Sequence, residues 1–282
     1  MADIWRDLTP QESGGSLFSD QSQFGVFRPN LLQKTLISIC KATILKRGLF
    51  RGRMTSLILA LGKGKLDIFF RGCAYRIFGE NNLIEYGLLL NPKYNQSDLD
   101  FLLAGASASS NFLDIGSNIG LYSLPLAKSA PKGKTISIDA NPKMKARLEF
   151  NASASGLKNV TMVSSAVSDK VGTARLKIRK DDVAIVAIEE SAHGDIPIRT
   201  LSDIVKEQQL TSIYGLKIDI EGHEDKALVP FLMSASDELL PKRIVIEHPQ
   251  ADQDYPGCVK AFAALGYMLS GRSRNNSFYL RP

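Results

Sequence analysis

The chain has 282 residues, 44% of them apolar and 23% charged, length enough for one or two domains at about 150 residues each and a composition that excludes a disordered, collagenous or coiled-coil protein. Apolar runs such as Leu57–Leu61 and Leu88–Leu90 fall far short of the roughly 18 residues that a bilayer span needs. Asp3, Arg6 and Asp7 stand where a secretory signal would carry its apolar core. The three cysteines, Cys40, Cys73 and Cys258, are too scattered for a disulfide framework or a CxxC metal site, so a cytoplasmic location is expected.

Residues 1–25 mix Gln, Ser, Gly and Asp without periodicity and read as a flexible leader. Apolar residues between Leu31 and Leu45 approximate helical spacing up to the break at Gly48, which predicts a helical, basic N-terminal cap over 26–90. Nine cations against the single acid Asp67 give residues 41–76 a charge of +8, so the net +6 of the whole chain is local and the remainder sums to −2. Such a segment is either a solvated face or a site for an anionic partner: a membrane surface, a phosphorylated carrier lipid or sugar nucleotide, or nucleic acid. Ile37, Ile44 and Leu45 beside Lys41, Lys46 and Arg47 make a helix lying on a membrane surface the sharper alternative to packing against the rest of the chain.

After Asn91-Pro92 short apolar runs alternate with helical segments, the pattern of βαβ units around a parallel sheet. Strands are expected at Phe112–Ile115, Thr135–Asp139, Val160–Ser164, Gly215–Ile220 and Arg243–Glu247, and helices at Ile119–Lys128, Pro142–Ser155, Leu201–Gln208, Glu224–Ser234 and Cys258–Leu265. Between Ala166 and Ile198 the rhythm breaks into β-like pieces that suggest an inserted hairpin, and the chain closes on a strand pair at Tyr267–Leu269 and Ser277–Leu280. The fold class is therefore α/β, a doubly wound, mostly parallel sheet with a helical cap and an inserted β-hairpin.

The strongest local signal is Asn111–Leu121, NFLDIGSNIGL, a strand that ends in Asp114, Gly116, Ser117, Asn118 and Gly120 and opens a helix. Glycines there let backbone approach a ligand, and a helix N-terminus offers unpaired N–H groups. A dinucleotide fingerprint requires GxGxxG, and Asn118 and Leu121 break it. The Asp-x-Gly-x-x-x-Gly spacing instead resembles motif I of S-adenosylmethionine-dependent methyltransferases, in which the acid can hold the cofactor's amino group. Asp139 closes the next strand 25 residues later, where an acid can accept both ribose hydroxyls; it and Asn141 are also both candidates to cap the helix at Pro142. Ser165 and Ala166 follow the third strand, where small residues can line the adenine edge. In LKIDIEGHE, alternation puts Leu216, Ile218 and Ile220 on one side and Lys217, Asp219 and Glu221 on the other, and three ionisable residues in a parallel strand point to function. The neighbouring strand ends in Glu247 and His248.

Taken together, FLDIGSNIGLYSL, IDANP, AVSDKVGTARL, IRTLSDIV, LKIDIEGHE and IVIEH resemble the FkbM-type methyltransferases, class I enzymes, over roughly Leu83–Glu247. Ser117 stands where that family more often has Ala, and Asp139 in a segment more often Glu-Pro-Asn-Pro. The resemblance implies a methyltransferase domain over 91–282, S-adenosylmethionine as cofactor and O-methylation of a sugar hydroxyl in a small molecule or glycan. A hydroxyl must lose its proton, and Glu221, His223, Asp219 and His248 are the candidate bases, Glu221 and His223 foremost. Alternatively Asp219, Glu221 and Glu247 gather a divalent cation through oxygen ligands. Two competing classes stay open: an RNA methyltransferase, suggested by the basic segment but lacking an NPPY-like tetrapeptide or catalytic cysteine motif after the fourth strand, and a non-catalytic membrane- or carrier-binding module, against which the intact Asp114, Gly116, Gly120 and Asp139 count.

Overall fold

The computed structural model describes residues 5–7, 22–79, 82–179, 186–191, 193–250 and 253–282. Most of the expected leader lies outside the described residues. Within it, Trp5–Asp7 (β1) pairs with a later strand.

The N-terminal region opens with an antiparallel helical hairpin. Asn30 caps Leu31–Ala42 (α1) through a capping box with Gln33, and a single turn at Ile44–Lys46 leads into Gly48–Ala60 (α2). The region is not wholly helical as expected. Leu66–Phe70 (β2) and Cys73–Ile77 (β3) form an antiparallel hairpin whose two turn residues, Arg71 and Gly72, both have positive φ, the geometry whose twist matches that of paired strands. Two five-residue runs, LDIFF and CAYRI, each mostly apolar with a single charge and separated by Arg-Gly, were the signal for it. The hairpin also removes Arg76 from the basic surface, because its guanidinium donates to Asp67 Oδ1 at 2.7 Å and Oδ2 at 3.0 Å in a fully buried pair. Asp67 accepts further from the Gly25 and Phe27 amides, and the Phe27 and Phe150 rings cover the guanidinium on its faces.

Leu83–Leu90 (α3), capped by Asn82, and Gln96–Leu103 (α4) lead to the main sheet. This contains Phe112–Ile115 (β4), then Ser123–Ser129 (α5), Thr135–Asp139 (β5), Pro142–Ala154 (α6) and Val160–Ser164 (β6). Helix α5 starts four residues later than the spacing predicts, because Gly120 sits at φ +94° and holds residues 119–122 as a turn. The inserted segment is more than a hairpin. Gly172–Arg179 (β8) and Val186–Glu190 (β9) form the expected antiparallel pair, while Ala166–Val167 (β7), Ile196–Arg199 (β10) and β1 join them in a second small sheet. Leu201–Glu207 (α7), Gly215–Ile218 (β11), Glu224–Ser234 (α8), Arg243–Glu247 (β12), Pro256–Ala264 (α9), Met268–Arg272 (β13) and Asn276–Leu280 (β14) complete the chain.

The seven strands of the main sheet run in the order β13-β14-β12-β11-β4-β5-β6, parallel from β12 through β6, with β14 antiparallel to both neighbours. Strand order reverses between β4 and β11, which puts the switch point, where α/β sheets bind ligands, at the carboxyl ends of these two strands. The predicted alternation holds. Leu216 and Ile218 join Leu113, Ile115, Ile136 and Ile244 in a core under α7, α8 and α9, and Lys217 and Asp114 point to the opposite side. On that side one core joins Phe112, Leu124 and Leu148 to Ile37, Ile58, Tyr75 and Leu88 of the N-terminal region.

Truncating one partner of a buried ion pair leaves the other charge unmet, at a cost of about 3–5 kcal/mol. Asp67→Ala is expected to destabilise the chain by that amount in urea unfolding, with no change in the unfolding slope.

Candidate active site

The turn after β4 is held from below by β5. The amides of Gly116 and Ser117 donate to the Ile138 carbonyl at 2.8 and 3.0 Å, and the Gly120 amide to the Ser117 carbonyl at 2.9 Å. Asn118, at φ +47°, donates its amide to Asp139 Oδ2 at 2.8 Å, while its side-chain oxygen takes the Asn82 amide nitrogen at 3.1 Å. The two glycines answer to protein packing. A Cβ on Gly116, at φ +80°, would lie 1.9 Å from the Asp219 carbonyl oxygen, and one on Gly120 would press on Leu124 and Leu148. The turn is thereby seated directly on the end of β11.

Asp114 is fully buried. Its Oδ2 accepts from the Ser123 amide at 2.9 Å and from the Ser123 hydroxyl, which in turn receives Ser137 Oγ at 2.8 Å. Burial pushes the carboxyl up to about 6, against the opposing pull of Ser123 and Lys217. Asp139 is half-buried and bonds through both oxygens, Oδ2 to Asn118 N and Oδ1 to Asn141 N at 2.8 Å; burial outweighs these bonds and raises it too to about 6. The helix cap is Asn141, whose side chain accepts from Lys143 N. Ser165 donates its amide to the Asp139 carbonyl at 3.1 Å, and Ala166 packs with Ala140. Three polar atoms around this edge, Asp114 Oδ1, Asn141 Nδ2 and Ser165 Oγ, are buried without a hydrogen-bond partner. Buried groups are normally satisfied, so a carboxylate acceptor, an amide donor and a hydroxyl here fit a ligand that brings an ammonium group and polar nucleoside atoms.

Beside the turn lies a charged cluster. Strand β11 ends at Ile218, two residues earlier than its pattern predicts, although the Asp219 amide still reaches the Ile115 carbonyl at 3.0 Å. Asp219, Glu221 and Glu247 each place a carboxylate oxygen within 4.8 Å of the others. Lys217, 2% exposed, donates to Asp219 Oδ2 at 3.2 Å and lies 5.3 Å from the centre of the Tyr122 ring. Burial alone would depress its ammonium, but Asp219, Glu247 and Asp114 outweigh burial and hold it charged. Burial would likewise raise Asp219; Lys217 and the hydrogen bonds from Glu247 and Lys217 prevail and keep it ionised. Glu247 goes the other way, pushed up to about 9 by burial and by the Asp219 charge with which it shares a proton. Glu221 stands exposed on a left-handed turn at φ +55°.

Of the other candidate bases, His223 is the N-cap residue of α8 without a side-chain capping bond. His248 follows β12, tied by its amide to Asn275. No hydrogen bond or ion pair among the described residues joins either imidazole to the carboxylates. Several contributors lay outside the sequence reading. Glu224 is buried and accepts from the Ile220 amide at 2.8 Å and the Gly222 amide at 2.9 Å, so it shapes the turn that carries Glu221; a glutamate at the first position of a helix was its only signal. Tyr122 donates to Asp98 Oδ2, which also takes Asn276 Nδ2, each at 2.7 Å, and no local pattern marks these partners.

A parallel sheet with its switch point over an acid-bearing glycine turn, and a second acid closing the next strand, define a class I S-adenosylmethionine-dependent methyltransferase. The model of the Methyltransferase FkbM domain matches residues 114–269, more than half of the chain, and the chain belongs to that family. No curated protein matches the sequence. Among solved structures it is similar to precorrin-6y C5,15-methyltransferase from Geobacter metallireducens, at 14% identity and a TM-score of 0.43 over 67% of this chain and 86% of that one. It is similar also to M. jannaschii TYW2 in complex with AdoMet, at 14% identity and 0.41 over 78% and 87%. A third is M. capricolum TrmK in complex with S-adenosyl-homocysteine, at 12% identity and 0.41 over 65% and 66%.

A side chain at Gly116 would meet both the left-handed backbone penalty of about 1–2 kcal/mol and the Asp219 carbonyl. Gly116→Ala is expected to lower stability by at least about 2 kcal/mol, read as a drop in thermal midpoint, and to weaken S-adenosylhomocysteine binding in titration calorimetry.

Proposed function

We propose that this methyltransferase methylates a hydroxyl of a sugar or of a glycan-containing small molecule. The observation that carries the reading is the convergence of Asp219, Glu221 and Glu247 beside the glycine turn, because a neutral hydroxyl is a weak nucleophile and must give up its proton to a base as it is methylated. S-adenosylmethionine, when bound, supplies an electrophilic methyl group on a sulfonium sulfur. Asp114 Oδ1, without a hydrogen-bond partner among the described residues, would hold the ammonium of its amino-acid end. Asp139, which keeps a second lone pair on each oxygen, would take the ribose hydroxyls, and Asn141 and Ser165 would border the base.

Within the cluster the roles divide by charge. Glu247 is protonated at neutral pH and bonded to Asp219, which Lys217 holds ionised, so that pair orients the acceptor. Glu221, the exposed member, takes the hydroxyl proton. Among the described residues His223 and His248 have no hydrogen bond or ion pair to the cluster. A second reading is favoured by the same 4.8 Å spacing: Asp219, Glu221 and Glu247 would hold a divalent cation, which would polarise the hydroxyl as a Lewis acid. The three buried free thiols support a reducing, cytoplasmic setting.

Glu221→Gln is expected to lower turnover about 10²- to 10⁴-fold while S-adenosylhomocysteine affinity stays within a factor of two or so. Normal turnover removes Glu221 as base. Full turnover in EDTA removes the cation reading, whereas loss restored by Mg²⁺ or Mn²⁺ replaces the base with the metal. Asp114→Ala and Asp139→Ala are each expected to weaken S-adenosylhomocysteine binding at least tenfold. Since Asp114 must be ionised to hold an ammonium, wild-type affinity should fall as pH drops through about 6, and Asp114→Asn should be flatter over that range. Stability of the ligand-free protein runs the opposite way. A carboxyl raised in the fold from 3.8 to about 6 adds stability below its unfolded value, and that contribution is lost as pH rises through about 6.

A further inference from the structure

We propose that the outer face of the α1–α2 hairpin docks this enzyme on an anionic lipid bilayer. The two helices are antiparallel: Asn30 Nδ2 and Gln33 Nε2, at the start of α1, donate to the carbonyls of Leu61 and Ile58, at the end of α2. Their inner faces, with Ile37 and Cys40 from one and Ile58 and Leu59 from the other, enter the shared core. Their opposite faces carry apolar residues one heptad apart, Leu32 and Ile39 on α1 and Phe50 and Leu57 on α2, all 44–58% exposed. At the start of α1 and in the turn that follows it, Leu31 and Ile44 are 81% and 68% exposed. Among the described residues, eight of the thirteen exposed large hydrophobic residues fall between Val26 and Phe69, about a sixth of the chain, so the concentration is not that of an average surface.

Charge identifies the occupant. From Ser22 to Leu66 the chain has nine Lys and Arg residues and no Asp or Glu. No salt bridge among the described residues neutralises Arg47, Arg53 or Lys63, which are exposed around this face. A second copy of the chain would bring like charges together. A nucleic acid would neutralise the cations but leave Ile39, Ile44, Phe50 and Leu57 in water. A bilayer bearing anionic headgroups meets both needs, since apolar side chains enter the headgroup–acyl boundary while Lys and Arg stay at the phosphates. No described helix is long and apolar enough to cross a membrane, so the contact is peripheral. This inference goes beyond the acceptor and cofactor assignments and stands or falls apart from them.

Co-sedimentation of the full chain with vesicles of equal phosphatidylcholine and phosphatidylglycerol, against vesicles of phosphatidylcholine alone, tests it. Binding to the anionic vesicles at least tenfold tighter than to the neutral ones is expected. Ile39→Ser/Phe50→Ser/Leu57→Ser and, separately, Arg47→Glu/Arg53→Glu/Lys63→Glu should each weaken it tenfold or more, with S-adenosylhomocysteine affinity retained as the check on folding. Should the apolar variant lose that affinity, Leu31→Ser/Ile44→Ser, flanking α1, replaces it. Absence of binding to anionic vesicles overturns the proposal. So does binding that ignores the apolar substitutions and disappears at 0.5 M salt, the behaviour of a polyanion site, and so does concentration-dependent self-association abolished by the apolar variant while vesicles go unbound.

Discussion

The carbonyl oxygen of Asp219 lies where a side chain on Gly116 would begin, and this contact sets the distance between the two halves of the sheet at their functional ends. With β4 and β11 already in register, Asp114 beside Lys217, the missing Cβ allows the turn after β4 to rest on the chain leaving β11. The elements that hold a cofactor and those that gather carboxylates thus become one surface. Other bonds keep the arrangement from relaxing: Asp139 anchors the turn through the Asn118 amide, and Glu224 anchors the opposing loop through the amides of Ile220 and Gly222.

The side of the sheet that faces the N-terminal region has an apolar floor and a polar upper end. Lys217, Asp114, Ser123 and Ser137 lie there together, bordered by Tyr122 and its partners Asp98 and Asn276. A lone ammonium at the depth of Lys217 would be neutralised by the cost of leaving water. Its carboxylate neighbours reverse that, and the ammonium in turn keeps Asp219 ionised while Glu247 retains its proton. Two acids so close cannot both ionise without strain, and their unequal contact with Lys217 decides which one does. The cluster therefore has a defined charge before any acceptor arrives, which spares reorganisation during the reaction.

The N-terminal region contributes to this site indirectly. Asn82 fixes the side chain of Asn118, Tyr75 bonds the Gly120 carbonyl at 3.1 Å, and the inward residues of α1, α2 and β3 share a core with β4, α5 and α6. The buried Arg147–Glu85 pair crosses the same boundary, and Glu85 also receives the amides of Phe78 and Gly79. A region whose inner face is built so closely into the sheet leaves its outer face as the part of its surface that can vary in apolar and cationic character without disturbing the fold.

The parallel strands, the acids that close β4 and β5, and the alternation of LKIDIE were legible in the sequence because each is a local pattern: a two-residue period, a glycine spacing, an acid at a strand end. Those motifs also carried the family and its cofactor. Other features depended on chain segments that meet only in the fold. The β2–β3 hairpin was obscured by the cations around it, and the basic segment read as one surface until Arg76 proved to be paired with Asp67 in the interior. Asp98 reaches Asn276 across 178 residues, a distance over which no spacing rule operates. The sequence could offer Glu221, His223, Asp219 and His248 as candidate bases, Glu221 and His223 foremost, because strand ends place all four at one edge. Which member of the carboxylate trio that the sequence had named keeps a proton was decided by tertiary structure alone, since burial and the position of Lys217 set those energies and neither is a property of a linear string.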